Sequence, residues 1–144
     1  MQIITVSGFA KNWEEAIALC GKKMSECGYV DLPFAEECIL REKEFPTGIP
    51  SEIPIAIPHA KSQNIKKDCI CLLRLDSPVI FNRMDSWDES VEVELVLNLA
   101  LKDADEHIVF LQKLMSIVQD VELLDSFKLL PLDKLQMAIE EKLA

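Results

Sequence analysis

Val91-Glu92-Val93-Glu94-Leu95-Val96-Leu97-Asn98-Leu99-Ala100-Leu101 is the stretch on which the fold turns. It alternates apolar and charged residues at first, then runs almost continuously apolar. The continuous part predicts a strand covered on both faces, as in an α/β sheet. Upstream of it, Ile53 to Ile57, Cys69 to Leu75 and Pro78 to Phe81 are further strand-like runs, and the polar, acidic Met84 to Ser90 is an exposed loop. Gln2 to Val6 is a short extended lead-in.

Helical periodicity brackets this central block. Asn12-Trp13-Glu14-Glu15 is a capping box, with Glu15 reaching back. Trp13, Ala16, Ile17, Cys20 and Met24 then recur at helical spacing, and Gly28 ends the helix. Asp31 is the expected cap of a second helix, with Pro33 in its first turn and Phe34, Ala35, Cys38 and Ile39 toward one side. After the long strand, Asp103 or Asp105 caps a helix whose apolar stripe is Ile108, Leu111, Leu114, Met115 and Val118. Asp120 opens a short helix through Leu129, and Leu132 to Leu143 is a last amphipathic helix with Leu135, Ile139 and Leu143 inward. Helices first, strands in the middle and helices last predict a three-layer α/β/α sandwich with a mixed central sheet flanked by helices. Residues 1–144 are expected to form one domain, since no repeat or linker interrupts them.

Composition narrows the function. A formal net charge of −10 disfavours nucleic acid as a partner, because a phosphate backbone demands a basic face. No apolar run approaches the roughly 20 residues of a membrane span. The first residues lack the basic-then-apolar order of a secretory signal, which points to the cytoplasm. Five cysteines, an odd count, argue against a disulfide framework. Cys69 and Cys71 are expected to point to opposite sheet faces and so form no metal clip; buried free thiols are the expected state.

The chemistry concentrates before the long strand. Phe45-Pro46-Thr47-Gly48-Ile49 is a turn, and Ile57-Pro58-His59-Ala60 places one of the two histidines directly after an apolar run and a proline. Pro58 keeps Ile57 extended, so His59 is presented on a stiffened backbone. Imidazole, with an ordinary pKa of about 6.5, is a neutral nucleophile at cellular pH. Lys61, Lys66 and Lys67 follow, and form a solvated loop unless a phosphate or partner uses them.

Arg41-Glu42, then Phe45-Pro46-Thr47-Gly48-Ile49, then Ala56-Ile57-Pro58-His59 resembles the IIA components of the bacterial phosphotransferase system (PTS), fructose/mannitol class, most of all the galactitol-type branch. The similarity continues through Cys71-Leu72-Leu73-Arg74, Val93 to Leu101 and His107 to Leu114, and so spans essentially the whole chain. The resemblance implies a single EIIA type-2 domain over residues 1–144. By it, His59 accepts a phosphoryl group from the phosphocarrier HPr on its Nε2 and passes it to a cysteine of a cognate IIB component. Arg41 matches the arginine that neutralises the phosphoryl group, and His107 falls where many members have a second histidine. The membrane component IIC is then an indirect associate, the cargo is a sugar or sugar alcohol of galactitol type, and no cofactor is needed. Two departures stand out. The stretch from Arg41 to His59 is slightly longer than in mannitol proteins, with Pro50-Ser51-Glu52 as the extra loop, and the galactitol branch varies at the second-histidine position.

Elementary chemistry agrees with the relay. Phosphoryl transfer needs positioning and charge stabilisation, best given by an arginine fork beside an exposed imidazole. Distant carboxylates matter little beyond a Debye length of about 8 Å. The plainer readings are an Arg41 that serves the helix dipole, a Thr47-Gly48 pair that only shapes a turn, and an ordinary surface His107. Two rival functions are a regulatory relative of the same fold and a metal-dependent hydrolase using His59 and His107.

Overall fold

The computed structural model describes residues 1–144, with Ala104 described by its backbone alone. Its elements are β1 (Gln2–Gly8), α1 (Trp13–Glu26), α2 (Pro33–Glu44), β2 (Gly48–Ile49), β3 (Ile55–Ala56), β4 (Cys69–Asn82) and β5 (Ser90–Ala100). A 3-10 turn (Ala104–His107) then leads into α3 (Ile108–Val118), α4 (Val121–Phe127) and α5 (Leu132–Leu143). The five strands form one sheet in the order β1-β4-β5-β3-β2. β1 runs parallel to β4 and β3 parallel to β5, while β4–β5 and β2–β3 are antiparallel, so the sheet is mixed as expected.

Alternation along β4 and β5 divides the core. Cys69, Cys71, Leu73 and Val96 meet Ile17, Cys20 and Met24 of α1 and Phe34 and Cys38 of α2 on one face. Ile70, Leu72, Leu95, Leu97 and Leu99 meet Leu114, Ile117, Leu124, Phe127, Leu135 and Ile139 of α3, α4 and α5 on the other. Helices thus cover both faces, and the near-continuous apolar run has its explanation. Each fully buried Leu, Ile or Phe contributes about 1.5–3 kcal/mol of transfer free energy.

Several local expectations need correction. Cys69 and Cys71 share a face, as residues two apart on a strand must. Both are buried free thiols with Cys20 and Cys38, whereas Cys27 is exposed. Asp31 gives α2 no side-chain cap; its carboxylate pairs with Lys66 at 3.1 Å and only its carbonyl accepts from Phe34 N–H. Glu15 bonds the N–H of Lys11, one residue further back than a capping box requires, while Asn12 Oδ1 accepts from Glu15 N–H at 2.9 Å. Strand β3 shrinks to two residues, because Pro54 and Pro58 on either side have no N–H to donate. β4 is one strand across Asp76-Ser77-Pro78, with a register shift between Arg74 and Val79. β1 ends at Gly8 opposite Leu75, so the bulge and its proline sit where β4 has lost that neighbour. In α3 the buried set is Leu114, Ile117 and Val118, while Ile108 and Met115 are exposed. The buried face packs against α4 and α5.

Chain direction gathers one end of the sheet. β3 and β5 finish there and β4 begins there, while Gly48, which follows the end of α2, pairs with Ala56 opposite Val96, further along β5. A Cβ on Gly48 would lie 2.6 Å from the carbonyl oxygen of Asn82, so only glycine lets the tip of the β4–β5 hairpin close against this turn. Met84 N–H donates to Gly48 O at 2.8 Å across that contact.

Candidate active site

Strand β3 delivers Pro58 and His59 to this end, and the backbone there is held from three sides. The Pro58 carbonyl accepts Leu99 N–H at 2.9 Å and Asn98 Nδ2–H at 3.1 Å. Ile57 N–H donates to Thr47 O at 3.4 Å. His59 Nδ1 lies 2.8 Å from the carbonyl oxygen of Ile57. A carbonyl can only accept, so Nδ1 carries the proton and the Nε2 lone pair stays free. Burial lowers the His59 pKa from its ordinary value, and the charge of Arg41 adds to this against the opposing pull of the Ile57 carbonyl. The ring therefore favours its neutral form, with the Nε2 lone pair available for chemistry.

Arg41 stands in the last turn of α2, close enough to His59 for its charge to be felt there. Its guanidinium lies 5.0 Å from the centre of the Phe45 ring, a cation–π contact. Nε is buried without a hydrogen-bond partner, and Arg41 makes no ion pair among the described residues. Arg83, by contrast, is saturated by Asp85 and Glu89, and Arg74 donates to the Phe127 and Leu130 carbonyls at the α4–α5 turn. An un-neutralised guanidinium in a chain of net charge −10 is a place for an anion.

Glu42, the next residue, turns the other way. It is 5% exposed, and its carboxylate accepts from Thr47 N–H at 2.8 Å and from the Thr47 hydroxyl at 2.8 Å. Burial pushes its pKa up to about 7, against the restraining effect of the two Thr47 bonds and of Arg41. On the same helix, Glu37 accepts from Ser62 Oγ at 2.7 Å and Asn64 Nδ2 at 2.6 Å. The chain after His59 is thereby tied to α2, which also carries Arg41. Lys61, just before these anchors, is exposed.

His107 reaches the same end of the sheet by a different route. Its Nε2 lies 2.8 Å from Asp68 Oδ2, and its ring meets Phe110 edge-on, centroids 6.2 Å apart. Burial raises the Asp68 pKa, but the Lys102 N–H and His107 outweigh it, and the carboxyl lies below its ordinary range. Asp68 leads into β4 and His59 follows β3, with β5 between them. The structure thus sets Arg41 where its charge acts on His59, and gives His107 to Asp68.

Sequence reasoning passed over the residues that hold these groups. Asn98 is fully buried, and its signal was an amide inside the run Val96-Leu97-Asn98-Leu99-Ala100. Its Nδ2 also points at Cys38 Sγ, 3.7 Å away, while Oδ1 has no partner. The Glu42–Thr47 pair could be suspected only from an acid and a threonine flanking one turn. Asp68 gave no signal of its own.

Comparison with known proteins follows this geometry. The family model described as phosphoenolpyruvate-dependent sugar phosphotransferase system, EIIA 2, matches residues 2–141. The galactitol-specific EIIA component of the PTS from Escherichia coli (strain K12) is 33% identical over 118 residues, 81% of this chain and 78% of that protein. A PTS IIA domain from Streptococcus pyogenes M1 GAS superposes with a TM-score of 0.78 at 20% identity, covering 98% of this chain and 89% of that one. The complex of Escherichia coli mannitol enzyme IIA with phosphorylated enzyme IIB matches with a TM-score of 0.67 at 23% identity, over 99% of this chain and 93% of the matched chain.

Proposed function

This chain belongs to the EIIA 2 family of the phosphoenolpyruvate-dependent sugar phosphotransferase system, and from that premise we propose that His59 carries the phosphoryl group it relays. The observation that carries this reading is the pairing of a free Nε2 on His59 with an un-neutralised Arg41 beside it. The Nε2 lone pair attacks the phosphorus of phospho-HPr; a nitrogen–phosphorus bond forms as the donor's breaks. The proton stays on Nδ1, donated to the Ile57 carbonyl throughout, so the incoming charge is met by Arg41 rather than by proton movement. A phosphoryl group brings roughly −1.5 to −2 charges, which the guanidinium fork meets with one or two charge-assisted hydrogen bonds. In the second step a cysteine thiolate of the cognate IIB component attacks the same phosphorus, and Nε2 leaves with its lone pair restored.

The mannitol IIA–IIB complex supports IIB as the acceptor, and the galactitol-specific relative supports a galactitol-type cargo taken up through a membrane IIC component. No helix is long and apolar enough to cross a membrane, and we place the protein in the cytoplasm with HPr. Ile108 and Val109, 58% and 66% exposed beside His107, and Phe45, 56% exposed beside Arg41, are apolar surface suited to brief encounters. Phe110, whose ring meets His107 edge-on, is half-buried. The regulatory alternative shares His59 phosphorylation and differs in the partner it binds. The hydrolase alternative gains no support: the two imidazoles face Ile57 and Asp68, and no group of three or more His, Cys, Asp or Glu among the described residues could hold a metal ion. Imidazole nitrogen NMR of the phosphorylated protein tests the proposed atom. Phosphate on Nε2 of His59 is the expected result, and phosphate on Nδ1 or on His107 contradicts it.

A further inference from the structure

A hydrogen-bonded path runs from the end of α2 to the ring of His59. The Glu42 carboxylate accepts from both the N–H and the hydroxyl of Thr47. The Thr47 carbonyl accepts from Ile57 N–H, and the Ile57 carbonyl accepts from His59 Nδ1–H. We propose that Glu42 is a positioning residue for phosphoryl transfer, which through Thr47 and Ile57 sets the orientation of the His59 ring opposite Arg41. The inference rests on the reading of His59 as the phosphorylated residue and deepens it.

Three observations favour this role over simple fold support. First, Glu42 is an ionisable group removed from water at a turn that needs only an acceptor; a neutral amide would fill the space without burying a charge. Second, both carboxylate oxygens are spent on one residue, and that residue touches the strand that ends at His59 rather than Arg41 next door. Third, Thr47 is itself 3% exposed and followed by Gly48, which is clamped between Ala56 and the Met84 N–H, so movement at Thr47 passes to β3 instead of dissipating in solvent. A charged acceptor makes the stronger hydrogen bonds, and a weaker one lets the Thr47–Ile57 contact, already 3.4 Å long, lengthen further. Misplacement of a reacting group by about 1 Å costs up to a hundredfold in rate.

The charged groups around Glu42 are few. Arg41 precedes it on α2, the Cys38 thiol lies one turn earlier, and Arg83 bridges to Gly48 but spends its guanidinium on Asp85 and Glu89. None of these replaces Glu42 as the acceptor for Thr47.

The test uses the full chain with phosphoenolpyruvate, Enzyme I and HPr, following phosphoryl transfer to His59 under single turnover across a range of HPr concentrations. E42Q and T47V are expected to lower the maximal transfer rate about tenfold or more while leaving the half-saturating HPr concentration close to wild type, with E42Q melting no lower than wild type, and T47S is expected to recover most of the rate. In wild type the rate should fall as pH drops through the Glu42 titration near neutrality, an inflection absent in E42Q. If wild type is labelled and E42Q and T47V transfer at its rate, the inference on Glu42 is overturned while that on His59 stands. If wild type is not labelled, both fall. Should E42Q fail to fold, T47V and T47S decide alone: equal rates in both overturn the inference.

Discussion

Ile57 holds the ring of His59 from two residues upstream, its carbonyl accepting Nδ1–H at 2.8 Å. That one bond fixes the tautomer and leaves the Nε2 lone pair free. It is a backbone contact, so no side-chain substitution at position 57 removes it. The consequences for the site are carried by its neighbours.

Arg41 lowers the His59 pKa together with burial, so its removal should raise it. In Arg41→Ala, an NMR titration of the His59 ring should show a pKa nearer the ordinary histidine value, and phosphoryl transfer should slow by about a hundredfold, as for loss of one charge-stabilising donor. Arg41→Lys keeps the charge without the fork and should lie between the two. An unmoved titration would place Arg41 too far away to act on His59.

Glu42 sets a pH dependence of stability whose sign differs from that of the usual paired carboxylate. Its folded pKa of about 7 lies above the ordinary 4.5, so the protonated form suits the fold. Its contribution is present below 4.5 and is lost as pH rises through about 7. Glu42→Gln should therefore match wild type near pH 4.5 and exceed it increasingly toward pH 8, with a ceiling on the order of 3 kcal/mol. Denaturant unfolding at several pH values reads this gap; a gap that closes as pH rises would contradict the burial of a charge.

Asn98 offers a case where stability and transfer should part. Asn98→Leu removes an amide with an unpaired buried oxygen and leaves the Pro58 carbonyl to Leu99 N–H alone. Its stability should stay within about 1 kcal/mol of wild type, since removing an unsatisfied polar group offsets the lost bond. Transfer should slow severalfold as the Pro58-His59 segment loosens. Equal transfer in both proteins would reduce Asn98 to a packing role.

His107 and Asp68 act on each other rather than on His59. A double-mutant cycle with His107→Ala and Asp68→Asn should return a coupling of roughly 0.5–1 kcal/mol in stability, the value of a half-exposed pair. Loss of His107 should slow transfer less than loss of Arg41. A larger effect from His107 would mean that it leaves Asp68 in the phosphorylated state.

Much of this architecture was legible in the residues themselves. The run Val91–Leu101 announced a strand buried on both faces, and α5 spans Leu132–Leu143 with Leu135 and Ile139 inward, as its periodicity required. His59 and Arg41 stand out in the sequence through a proline-stiffened turn and a matching motif, and the charge of Arg41 acts on His59 in the fold. What stayed hidden depends on tertiary partners. Asp31 has the chemistry of a cap but finds Lys66 instead, and the buried face of α3 is the one packed against α4 and α5. Cys69 and Cys71 share a face by simple alternation, which their placement on opposite faces overlooked. Asn98 and Asp68 matter through partners 40 and 39 positions away, and no local pattern reports such separations.

The most direct measurement is labelling of the intact protein with phosphoenolpyruvate, Enzyme I and HPr, read by intact mass before and after acid treatment. Wild type should gain one acid-labile phosphoryl group, and His59→Ala should gain none while remaining folded. An unlabelled wild type, or a His59→Ala protein labelled to the same extent, would contradict the assignment of His59 as the phosphoryl carrier.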